Sequence, residues 1–153
     1  MDDDPALLRA LDRLAEVPSL LVACRFDGVL ADATDDPADA RAEQESSEAL
    51  NVLLALSGTR VAVVSDRPGD EVHELMFLSG AKGGLRVVDA DGLAALRTEL
   101  NPSAVMAIGV DPGDTGPDDL VIEVGVDGAG HQVEDVEGVA EILGELVSLR
   151  RWA

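Results

Sequence analysis

Residues Leu20 to Phe26 make a nearly unbroken apolar run, LLVACRF, too short to cross a membrane and too continuous for a strand with one wet face. A strand that is apolar on both sides needs cover on both sides, and a parallel sheet between two layers of helices provides it. Further runs of strand length follow at Val61–Val64, Leu85–Val88, Val105–Val110 and Leu120–Val126. The stretches between them carry apolar residues at helical spacing. Leu7, Leu8, Leu11 and Leu14 after Pro5 predict a helix over 5–16, and Leu50, Leu53 and Leu54 predict a second that Gly58 closes. Val72, Leu75 and Met76 predict a short helix after Pro68, and Leu93 to Leu100 one that Asn101-Pro102 stops. Val136, Val139, Ile142, Leu143, Leu146 and Val147 form the stripe of a last helix. The alternation predicts an α/β fold, a three-layer Rossmann-like parallel sheet with helices on both faces. At 153 residues the expectation is a single domain over 1–153, with residues 1–19 as an N-terminal helix and lead-in to the first strand.

Composition narrows the partners. Thirty-one acids against eleven bases give a formal charge of −20, which repels nucleic acid and anionic membrane surfaces. The acidic start MDDDP is the opposite of a signal peptide, so a cytoplasmic location is expected. The single Cys24 excludes an internal disulfide, and its place in an apolar strand predicts a buried, inert thiol. Two histidines far apart, His73 in the helix after Asp70 and His131 in a polar turn, read as surface residues rather than metal ligands.

In an open parallel sheet ligands bind beyond the carboxyl ends of the strands, so the segments after Phe26, Val64, Val88 and Val110 are the places to search. Three of them hold unusual residues: Arg25-Phe26-Asp27-Gly28-Val29-Leu30, Ser65-Asp66-Arg67-Pro68 and Gly109-Val110-Asp111-Pro112-Gly113-Asp114. Together they resemble the phosphoryl-transfer motifs of the haloacid dehalogenase superfamily, and within it the trehalose-6-phosphate phosphatase branch, whose motifs read like DFDGTLA, VSGRP and GDDxTD. The resemblance runs from about Leu20 to Leu149 and takes in Asp35 to Pro37 and the stretch GTRVAVVS at Gly58 to Ser65.

The resemblance implies a role for each position. The first aspartate of the first motif is a nucleophile and the second a general acid and base. A Ser or Thr after the second strand holds phosphate, a Lys offsets its charge, and the acidic motif carries Mg²⁺. Here the nucleophile position is Arg25, whose guanidinium only donates hydrogen bonds and cannot attack phosphorus. The first carboxylate of the acidic motif is Val110, and Lys82 is no matched counterpart of the phosphate-binding Lys. Asp27 remains as a remnant of the catalytic pair, Ser65 and Arg67 with Arg25 as phosphate-binding candidates, and Asp111 and Asp114 as a degenerate acidic motif. The stretch Pro68 to Val105 has room for a helix, a strand and a helix but not for a cap domain, so a degenerate, capless relative is expected. No intact catalytic residue, no metal and no cofactor are expected, Mg²⁺ included.

Plainer readings stand beside these. Asp27-Gly28 also reads as a strand-end turn, Ser65 as a turn cap, and Asp111, Asp114, Asp118 and Asp119 as a solvated acidic loop. For Arg25 two readings stay open: it pairs with Asp27 and Asp111 and locks the old site shut, or it receives an anion. Three functions therefore remain. One is an inactive domain that interacts with another protein or with itself as a regulatory module. Another is a phosphate or sugar-phosphate binding module using Arg25 and Ser65, and the last an active Mg²⁺-dependent phosphatase with a different nucleophile. The missing nucleophile favours a protein that is not an enzyme.

Overall fold

A computed structural model describes residues 5–26, 29–30, 44–56, 58–65, 72, 85–110, 119–124, 131–133 and 136–151. In chain order these form α1 (Pro5–Glu16), β1 (Leu20–Arg25), α2 (Gln44–Ala55), β2 (Thr59–Val64), β3 (Leu85–Val88), α3 (Ala90–Leu100), β4 (Ala104–Ile108), β5 (Leu120–Val124), β6 (His131–Val133) and α4 (Val136–Arg151). The strands make one parallel sheet in the order β3-β2-β1-β4-β5-β6, with Arg25 beside Val64 in register and Cys24 beside both Val63 and Ile108.

Strand alternation explains the continuous apolar run of β1. Leu20, Val22 and Cys24 join Val61, Val63, Met106, Ile108 and Ile122 in the larger core cluster, together with Leu7, Leu11 and Leu14 of α1, Leu50 and Leu53 of α2, and Ile142, Leu143 and Leu146 of α4. Leu21 and Ala23 face the other way, into a smaller cluster with Ala62, Val64, Val105, Ala107 and the α3 residues Leu93 and Leu96. Both faces of β1 are thus dry, and burying each leucine contributes about 1.5–3 kcal/mol relative to leaving it in water. Ala62, Ala23 and Ala107 lie side by side across β2, β1 and β4, so the sheet is thin on the α3 face.

The predicted α/β class and the helix over 5–16 match the structure, and β3 has the predicted bounds. Two expectations about the strands need correction. His131 opens a sixth strand instead of lying in a polar turn, and β4 stops at Ile108 because Gly109 takes a φ of 71°. The short helix expected after Pro68 falls outside the described residues except for Val72, which is buried. The 39 residues 65–103 that join β2 to β4 already contain β3 and α3. No helix among the described residues is long and apolar enough to cross a membrane.

The amino-terminal edge of the sheet is held by polar side chains. Arg150 donates from Nε to Thr59 Oγ1 (2.6 Å), from Nη1 to the carbonyls of Leu14 (3.2 Å), Ala15 (3.3 Å) and Val17 (2.9 Å), and from Nη2 to that of Gly58 (3.1 Å). It supplies donors to the end of α1, whose last carbonyls have no partner inside the helix. Partial burial lowers the pKa of Arg150 from its ordinary value. Asp119, expected in a solvated acidic loop, instead has a side chain only 4% exposed.

Candidate functional site

The carboxyl end of β1 is fixed by backbone bonds that continue the sheet past its strands. Phe26 donates its amide to Val64 (3.0 Å), Ser65 to Val88 (2.9 Å) and Gly109 to Ile122 (2.8 Å). The Leu30 amide then bonds the Phe26 carbonyl (3.1 Å), closing one turn that starts directly after the strand. Phe26, Val29 and Leu30 are buried and anchor this turn in the larger core cluster. Arg25 therefore stands on a rigid base, the last residue of a central strand and its only exposed one.

Gly109 sits beside it at the end of β4. A Cβ there would lie 2.5 Å from Val29 Cγ2 and 3.6 Å from Arg25 Cβ, and the left-handed φ of 71° already disfavours a side chain. Only glycine lets β4 pass this close to the turn after β1. In sequence Gly109 reads only as too sparse for a dinucleotide-binding fingerprint. The signal that marks its role is a glycine immediately after a fully apolar strand.

The other candidates divide into described and undescribed. Ser65 follows β2 at the same edge as Arg25 and is half-buried. Val110 is half-buried against the α3-side cluster, so an apolar contact occupies the place the resemblance gives to a carboxylate. Asp27, Asp66, Arg67, Lys82, Asp111 and Asp114 lie outside the described residues, as does His73. The expected pairing of Arg25 with Asp27 and Asp111 therefore also lies outside the described residues. Among the described residues Arg25 makes no ion pair, whereas Arg86 pairs with Glu99 (3.0 Å) and Arg97 with Asp119 (2.6 Å). Cys24, one residue before Arg25, is fully buried, and burial pushes its thiol pKa up to about 12, so it is no nucleophile.

Among the described residues no three His, Cys, Asp or Glu side chains come together as a metal site. Arg25 and Val110 offer no side-chain oxygen to a hard cation.

No protein-family model and no curated protein sequence matches the chain. Solved structures do. A trehalose-6-phosphate phosphatase from Aspergillus fumigatus is similar over 97% of this chain and 98% of its own, at 12% identity and a TM-score of 0.67. The 3-deoxy-D-manno-octulosonate 8-phosphate phosphatase of Moraxella catarrhalis, in complex with a magnesium ion, a phosphate ion and a KDO molecule, is similar over 95% of this chain and 92% of its own, at 14% identity and 0.61. A putative HAD superfamily hydrolase from Legionella pneumophila is similar over 95% and 88%, at 18% and 0.62. The Moraxella structure corrects the expectation that no cofactor is involved, because a protein of this fold there holds Mg²⁺. The expectation leaned too far on two side chains: a hard cation also takes backbone carbonyls and water, so changes at Arg25 and Val110 do not dispose of it. Over nearly its whole length the chain thus has the fold of these solved HAD-type phosphatase and hydrolase structures.

Proposed function

We propose that this chain is a phosphatase-fold domain that does not transfer phosphoryl groups and serves as an interaction or regulatory module. One observation carries the reading: the last residue of the central strand, held rigidly at the edge where such sheets work, is Arg25. A covalent nucleophile must offer an electron pair, and a guanidinium that stays protonated offers none. The nearest thiol, Cys24, is buried and protonated. The similarly folded proteins are phosphatases by name, but a shared fold does not carry the activity with it, and Arg25 supports the reading without phosphoryl transfer. The partner in this reading is another protein or a second copy of the chain, meeting the edge that carries Arg25.

The test is turnover of p-nitrophenyl phosphate and of a panel of sugar phosphates, with Mg²⁺ and with EDTA. The expected result is no release of phosphate above buffer in either condition. Turnover that disappears on Asp27→Asn would overturn the reading, because it would show a working acid-base carboxylate and another nucleophile.

A further inference from the structure

We draw no further inference here: the strongest candidate, the buried side-chain pair Ser46 and Ser47 in the first turn of α2, whose hydroxyls have no hydrogen-bond partner among the described residues, carries nothing because both oxygens are closed off from solvent and nothing in the structure shows a ligand that reaches them.

Discussion

Arg97 on α3 reaches Asp119, the residue before β5, with Nη2 2.6 Å from Oδ2, while Asp119 Oδ1 accepts the amide of Val105 at 2.9 Å. One nearly buried carboxylate therefore joins α3, β4 and β5 at the amino-terminal edge of the sheet. Asp119→Ala leaves the Val105 amide and the Arg97 guanidinium without this acceptor and should cost about 2–4 kcal/mol in urea unfolding. Asp119→Asn keeps an oxygen for Val105 and should cost about half as much. Equal losses for the two would show that the backbone contact contributes nothing.

Arg150 binds neutral acceptors at the same edge, four carbonyls and a hydroxyl. Arg150→Met retains much of the stem and removes every donor, so a loss of about 2–3 kcal/mol is expected. Hydrogen exchange should report it locally, with faster exchange in α1 than in α3. Uniform acceleration across both helices would refute the assignment of Arg150 as the tie between α1 and α4.

Gly144 lies inside α4, and a Cβ there would meet no heavy atom within 4 Å. Gly144→Ala should add about 0.5–1 kcal/mol by lowering the entropy of the unfolded chain, raising Tm by about 1–4 °C. A lowered Tm would show that the open space above Gly144 is needed by something else.

The Cys24 thiol, pushed by burial from 9.0 to about 12, stays protonated in the fold while the unfolded chain ionises from about pH 9. Because the folded-state value is the higher one, its contribution is complete below pH 9 and is lost as pH rises toward 12, at up to about 1.4 kcal/mol per pH unit. Cys24→Ala should flatten the fall in unfolding free energy between pH 9 and 11. At pH 8 the native protein should resist iodoacetamide until denaturant is added; rapid labelling of the folded chain would contradict the burial.

The fold was legible where periodicity was strong. β1 and β3 declare themselves by apolar runs and α1 by Leu7, Leu11 and Leu14 on one face. The strand β6 was not, because His131, Gln132 and Val133 gain their identity only by pairing with Ile122, Glu123 and Val124. Asp119 looked like one more acid in an acidic loop since its partner Arg97 is 22 residues away. Arg150 gave no signal at all, because carbonyls have no residue type. At the site, Arg25 and Val110 could be placed at strand ends from motif and pattern, but the closeness of Gly109 to Val29 depends on how β4 and the turn after β1 meet in space.

Arg150 and Asp119 work at one edge of the sheet and Arg25 stands at the other, separated by the length of a six-residue strand, about 20 Å. Changes so far apart are expected to add without interaction. Evolution could therefore rewrite the residue at the end of β1 while the foundations at the opposite edge stayed as they were, and a protein engineer inherits the same freedom: Arg25→Asp can be attempted as an exchange of function on a scaffold that does not have to be rebuilt.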